Sequence, residues 1–195
     1  MSEPVTRMIC GRQVTVSNPE KVFFSRRDET KSDLIEYYEA VAEPLMAAMG
    51  GRPTMMQRFP DGASGKSFFQ KRVPKGAPEW LETTTVSTPN GTTSNALVAA
   101  DLAHLIWAVN LGCLGFHLWP YKAADPEHAD ELRIDLDPSP GVDFSDVRNA
   151  ALRVKDLLDE FGLSSYPKTT GSRRPHLVAV PPRKEAACTS SSASF

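Results

Sequence analysis

Between Arg12 and Val16 apolar and polar residues alternate at every second position, the pattern of a short strand, and Asn18-Pro19 closes it with a turn. From Lys31 the period lengthens. Leu34, Tyr37/Tyr38, Val41, Leu45 and Met49 recur at helical spacing, with Thr30 or Ser32 as the cap and Gly50-Gly51 as the stop. Pro44 inside this run predicts a kink or a break. RPTMMQRF (52–59) and KSFFQK (66–71) read as strands separated by the turn residues from Pro60 to Gly65. The Thr/Val-rich run from Leu81 to Leu97 reads as a hairpin turning at Asn90-Gly91. ADLAHLIWAVNLG (100–112) is apolar on most sides, which predicts a buried helix ended by Gly112. LGFHLW (114–119) is a strand, followed by a polar loop from Pro120 to Asp130. LRIDL (132–136) is a strand and DPSPG (137–141) a loop. A helix over about 144–161 then aligns Val147, Ala150/Ala151, Val154, Leu157/Leu158 and Phe161 on one face and stops at Gly162. Strands and helices mix without a βαβ rhythm, so the fold class is α+β, a mixed sheet core with flanking helices over residues 1–180. The Ser-rich stretch 181–195 has no periodicity and reads as a disordered tail.

Composition narrows the class. At 195 residues the chain can build one good core or two small lobes. No apolar run approaches the ~20 residues of a membrane-spanning helix, and the N-terminus has no apolar signal region. Cys10, Cys113 and Cys188 are far apart and without metal-ligand spacing, so a cytoplasmic setting is expected. The net charge of −2 hides an uneven distribution: +3 over residues 1–75, −9 over 76–166 and +4 over 167–195. An acidic centre between basic ends suits a cation site flanked by phosphate-binding groups, although solvated charge produces the same numbers.

The acidic centre contains Asp135 and Asp137, two apart at the end of an apolar run. Residues two apart on a strand share a face, so the carboxylates are expected side by side, where they either share a proton or bind a cation. Hard ions such as Mg²⁺ or Mn²⁺ suit such a pair and also carry substrate phosphates. The spacing alone is a weak signal, because a solvated strand end starting an Asp-Pro turn gives the same pattern. KTTGSRRPH (168–176) reads as a loop able to offer backbone N–H groups, Thr170, Ser172 and Arg173 to a triphosphate, or as a polar turn with a structural His176. Asn18, Lys21 and Lys31 could line a phosphate pocket beside a helix start, or be a turn with exposed lysines. Alternation turns one of Phe68 and Phe69 outward, and a ring flanked by Lys66, Lys71 and Arg72 would make a base-stacking platform. Core packing accounts for the pair equally well. His117 is a satisfied core histidine or a group facing a nucleotide.

Together VSNPEKVFF, TKSDLIEYYEAVAEPL, GRPTMMQRFPDG, FFQKRVPKGAPEWL, LIWAVNLGCLGFHLWP, HADELRIDLDPSPGVDF and YPKTTGSRRPH resemble, in order, the polymerase domain of bacterial ATP-dependent DNA ligase D and its stand-alone relatives, within the archaeo-eukaryotic primase-polymerase superfamily. The resemblance covers roughly residues 12–177. It implies a primase-polymerase-like fold and a template-directed nucleotidyltransferase that favours ribonucleotides over deoxyribonucleotides. Two Mn²⁺ or Mg²⁺ ions would serve it as cofactors, and its setting would be non-homologous end joining with Ku and a ligase, in the bacterial cytoplasm at the nucleoid. On that resemblance Asp135 and Asp137 match the metal-binding aspartates and His176 the histidine of the second motif. Thr170, Ser172 and Arg173 match the nucleotide loop, and His117 a residue facing the incoming nucleotide. Asn18, Lys21 and Lys31 match the pocket for the 5′-phosphate of a DNA end, and Phe68 and Phe69 the pair stacking on the template.

Two departures accompany it. Arg174-Pro175 stands where the family has a glycine and an aliphatic residue. After His176 the only acidic residue is Glu185, so the family's third metal-binding aspartate has no counterpart. The expectation is a domain incomplete at its C-terminus, from a coding sequence that leaves the family's frame near Arg174, with an exposed apolar sheet edge. The alternative functions are a non-catalytic module that binds 5′-phosphorylated ends, or a decayed homologue. A hydrolase using the two aspartates as acid and base fits poorly, since flanking a glycosidic bond takes carboxyls ~5 Å or more apart.

Overall fold

The computed structural model describes residues 2–87, 91–169 and 175–180, with Thr169 and the last segment as backbone only. They fall into two compact units, residues 1–128 and 129–195.

The first unit opens with a hairpin of β1 (Val5–Ile9) and β2 (Arg12–Val16). Its turn residues Cys10 and Gly11 have φ of +50° and +73°, as a two-residue turn matched to strand twist requires. A small ladder, β3 (Val22–Phe24) with β4 (Glu29–Thr30), leads into α1 (Lys31–Ala40). Thr30 caps α1 reciprocally with Asp33: its hydroxyl accepts from the Asp33 N–H, and Asp33 Oδ2 accepts from the Thr30 N–H at 2.7 Å. The helix breaks at Val41 and resumes as α2 (Ala42–Met49). Pro44 therefore sits in the first turn of a new helix, where its missing N–H has no intrahelical role.

A five-stranded antiparallel sheet follows, built on β5 (Pro53–Arg58). Pro53 and Thr54 pair with β8 (Thr93–Val98), Met56–Arg58 with β6 (Phe68–Gln70), and Thr54–Arg58 with β9 (Cys113–Leu118). β7 (Thr83–Ser87) pairs with β8 as the expected hairpin, although Asn90 of its turn lies outside the described residues. The apolar helix is α3 (Leu102–Asn110), whose residues 103–109 are all buried. Together with α1 and the first hairpin it closes a core of Ile35, Met56, Leu97, Ile106 and Val109. Asp101 caps α3 and takes the Nδ1 proton of buried His104 at 2.7 Å, while His104 Nε2 accepts the Glu82 N–H at 3.0 Å. Arg12 Nε adds a third donor to Asp101 at 3.0 Å.

The segment expected as a loop after β9 contains instead a small ladder, β10 (Tyr121–Lys122) with β11 (Asp125–Ala129). Every residue of β11 is exposed, so that strand buries no face and leaves no alternation to read. It is tied to the body by Lys122 Nζ on the Gly50 carbonyl at 2.6 Å and by the Ala123 N–H on Gly51 at 2.8 Å.

The second unit contains β12 (Leu132–Asp135), α4 (Phe144–Glu160), β13 (Ser164–Thr169) and β14 (Pro175–Val180), with strand order β12-β14-β13. KTTGSRRPH is thus not one loop, because its ends Lys168–Thr169 and Pro175–His176 are paired strand. Pro167 and Pro175 are tolerated on an edge strand and at a strand start. The face of α4 is also narrower than its periodicity predicts. Val147 and Leu158 are buried and Ala151 and Val154 half-buried, whereas Leu157 and Phe161 are 53% and 73% exposed. Apolar spacing gives the direction of a helix face, not how far its neighbours cover it. No helix among the described residues is long and apolar enough to cross a membrane. The expected tail, residues 181–195, lies outside them.

Candidate functional site

The acidic pair sits where β12 gives way to loop. The strand ends at Asp135, so Asp137 is not on it, and the pleat that was expected to align the two carboxylates does not reach the second. Both nevertheless line one groove of about 620 Å³, together with Pro138, Val142 and Asp146. The loop 136–142 and the first turn of α4 bring them there. Asp143 caps α4, accepting from the Ser145 and Asp146 N–H groups at 2.7 and 3.1 Å, and Asp146 returns the bond to the Asp143 N–H at 3.3 Å. The Ser145 hydroxyl, which donates to Asp143 at 2.6 Å, and after it the Asp146 and Ser145 N–H groups hold the Asp143 carboxyl below its usual range. Asp146, a third carboxylate on the groove, was not visible as such in the sequence, where it reads only as a capping residue.

Across the ladder Asp135 is the direct partner of His176 in β14, so the two motifs meet in register. Lys168 is the partner of His176 on the other side. Thr170, Ser172, Arg173 and Arg174, between β13 and β14, lie outside the described residues, and so does Glu185 after β14. The donor chemistry on the groove suits a hard divalent cation held by few carboxylates and completed by substrate phosphates. No group of three or more His, Cys, Asp or Glu side chains among the described residues forms a closed metal shell.

In the first unit the aromatic pair and His117 assemble around β5. Phe69 is the partner of Gln57 and His117 the partner of Met55, which puts both on one sheet face. Their rings meet edge to face at 5.2 Å. Phe68, opposite Arg58, points to the other face, the one that α1 and α3 cover at Met56. Alternation was expected to bury one ring, but Phe68 and Phe69 are 45% and 55% exposed. β6 is a three-residue edge strand, and the Arg58 guanidinium lies over the Phe68 ring, 5.3 Å from its centroid. Arg58 is held by the Leu111 carbonyl at 2.8 Å and by Gln70 at 2.6 Å, contacts that no sequence pattern announced. Partial burial keeps the His117 pKa below its ordinary value, so the ring is neutral near pH 7. Beside Phe69 runs a groove of about 490 Å³ lined by Lys71, Arg72 and Thr92–Ser94.

The third cluster divides. Asn18, in the left-handed region at φ +47°, and Lys21 line a groove of about 400 Å³ with Ser2 and Glu20. Lys21 Nζ also donates to the Pro60 carbonyl. Lys31, grouped with them on the resemblance, is only 4% exposed. Its ammonium donates to Ser17 O at 2.5 Å, Asn110 O at 3.0 Å and Asn110 Oδ1 at 3.2 Å. Burial, and after it the charge of Lys21, pushes its pKa down to about 8. Sequence reasoning missed Asn110, which reads only as a helix end.

Comparison with known proteins bears on these clusters together. The family model described as "LigD, primase-polymerase domain" matches residues 30–194. The "Multifunctional non-homologous end joining DNA repair protein LigD" of Mycobacterium tuberculosis is 34% identical over 174 residues, 85% of this chain and 23% of that protein. The "Bifunctional non-homologous end joining protein LigD" of Bacillus subtilis is 34% identical over 154 residues, 79% of this chain and 24% of that protein. The Pseudomonas aeruginosa LigD is 30% identical over 166 residues, 85% and 20% respectively. This chain therefore spans about a fifth to a quarter of those relatives. The solved polymerase domain of Mycobacterium tuberculosis ligase D in complex with DNA superposes with a TM-score of 0.76 at 32% identity, over 86% of this chain and 61% of that one.

Proposed function

This chain belongs to the LigD primase-polymerase family, and from that premise we propose that it is a divalent-metal-dependent nucleotidyltransferase that extends DNA ends or fills gaps during non-homologous end joining. The observation that carries the reading is the groove shared by Asp135 and Asp137, with His176 in register beside it. Asp135 and Asp137 would hold the cation, Mn²⁺ or Mg²⁺. Such an ion would supply positive charge to the triphosphate oxygens, lowering the barrier to displacement of pyrophosphate from the α-phosphorus by a 3′-hydroxyl. His176, with Thr170, Ser172 and Arg173, takes the nucleotide, ribonucleotides preferentially. His117, neutral at working pH, offers a donor and an acceptor to the nucleotide without adding charge. Phe69 and Phe68 stack the template, with Lys71 and Arg72 along its backbone. Asn18 and Lys21 receive the 5′-phosphate of the end, backed by Lys31. The partners are DNA ends, nucleoside triphosphates, Ku and an ATP-dependent ligase.

The test is manganese-dependent ribonucleotide addition to a gapped, 5′-phosphorylated duplex. Asp135→Ala lowers the rate by about a hundredfold or more, several kcal/mol of charge stabilisation. Undiminished addition by that variant refutes the assignment. A second reading, a non-catalytic module that binds 5′-phosphorylated ends, is favoured by the groove of Asn18 and Lys21, which is lined by neither Asp135 nor Asp137 and could hold a phosphate by itself. Phosphate-dependent binding without extension would select it.

A further inference from the structure

Asn110 is the last residue of α3, and its side chain makes more hydrogen bonds than a helix end needs. Oδ1 accepts the Ser17 N–H at 2.9 Å, the Ser17 hydroxyl at 3.2 Å and Lys31 Nζ at 3.2 Å, while Nδ2 donates to Thr15 O at 3.0 Å. The Asn110 carbonyl accepts Lys31 Nζ as well. One amide thus fastens the end of β2, the start of the following turn and a buried ammonium.

The turn held this way is the one that carries the groove residues. Asn18 follows Ser17 directly and adopts φ +47°, a conformation that an asparagine holds only at a cost when nothing fixes it. Its carbonyl accepts the Lys21 N–H at 3.1 Å, and the Lys21 carbonyl accepts the Lys31 N–H at 2.8 Å. Ser32 N–H closes on Pro19 O at 3.0 Å. The segment 17–21 is therefore pinned at its start by Asn110 and the Lys31 ammonium and at its end by the α1 backbone. The Lys31 ammonium thus bonds both Ser17 and Asn110, and Asn18 and Lys21 line the groove beside it.

We propose that Asn110 is a positioning residue for recognition of the terminal 5′-phosphate: with Lys31 it forms an internal clamp that fixes the strained Asn18 turn, so that Asn18 and Lys21 meet the phosphate preorganised. The proposal rests on the reading of this groove as the 5′-phosphate pocket. A phosphate received by a fixed charge-assisted set is bound much more tightly than by the same groups on a loose loop.

The experiment compares the Kd of the purified chain for one duplex bearing a 5′-phosphate or a 5′-hydroxyl, at fixed salt, alongside thermal denaturation. The wild type discriminates in favour of the phosphate, and Lys21→Ala abolishes that discrimination. Asn110→Leu, matched in volume, lowers it by about tenfold while remaining folded at the assay temperature. The Asn110→Leu/Lys21→Ala double variant is no worse than Lys21→Ala alone, because both act through one pocket. Asn110→Asp, which keeps the acceptor for Ser17 and Lys31, rescues discrimination to within about threefold. If Asn110→Leu does not fold, Asn110→Asp decides alone, and its losing discrimination while folded overturns the proposal. Discrimination lost in Lys21→Ala but intact in folded Asn110→Leu overturns the clamp and leaves the pocket standing. A wild type without discrimination overturns the pocket, and the clamp with it.

Discussion

Replacing Phe69 by leucine separates stacking from stability. Phe69 is 55% exposed, so of the ~200 Å² that a phenylalanine offers about half is packed. At ~25 cal/mol per Å² that packing is worth about 2.5 kcal/mol at most. Leucine keeps the greater part of it and loses mainly the edge-to-face contact with His117, about 0.5–1.5 kcal/mol. The folding cost is therefore about 1–2 kcal/mol, a fall in Tm of about 3–6 °C for a chain of this size. A flat π-face is what leucine cannot replace. Base stacking on an aromatic ring is worth about 1–3 kcal/mol, so binding to a single-stranded overhang weakens roughly five- to 150-fold. Fluorescence anisotropy on a 5′-phosphorylated duplex, with and without an overhang, at one ionic strength, reads the effect, since salt alone moves such affinities by decades. The loss is expected on the overhang substrate only. Equal affinity for the overhang, or an equal loss on the blunt duplex, would refute the assignment of Phe69 to the template.

Two further predictions concern the scaffold. Asp101→Ala removes the cap of α3 and leaves the buried His104 Nδ1–H without an acceptor, costing about 1 kcal/mol for the cap and about 1–3 kcal/mol for the orphaned donor. Asp101→Asn retains an acceptor and costs about 1 kcal/mol; thermal melts in which the two variants are equal would contradict the arrangement. Burial pushes the Cys113 thiol up to about 12, whereas Cys10 is exposed at a turn. At pH 8 a maleimide, followed by peptide mapping, should modify Cys10 in the native protein and Cys113 only after unfolding, and native labelling of Cys113 would count against its placement.

The elements with strong local chemistry were legible in the sequence. The Thr30 cap, the apolar run of α3 and the β7–β8 hairpin follow from capping, periodicity and turn residues that act within a few positions. The β10–β11 ladder was not legible, because a pairing made only by backbone leaves no trace in side-chain order. Exposure of Phe68 was not legible either, since it depends on β6 lying at the edge of the sheet, a matter of strand order rather than of local pattern. Of the candidate site, the meeting of Asp135 with His176 was implied only through the family resemblance; a register across forty residues has no local signal. Asn110 and Asp146 are the reverse case. Each looks like an ordinary helix-terminal residue, and only the fold reveals what its side chain touches.

Phe69 and His117 come from strands that never pair with each other; each is placed solely by its register on β5, at Gln57 and Met55. An insertion or deletion within those three residues would change the parity between the two rings and send one to the opposite side of the sheet. Length variation in this domain should therefore be confined to connections outside β5. Anyone grafting this surface onto another scaffold must transplant the three strands as one cassette, since the aromatic ring and the imidazole carry no shared address of their own.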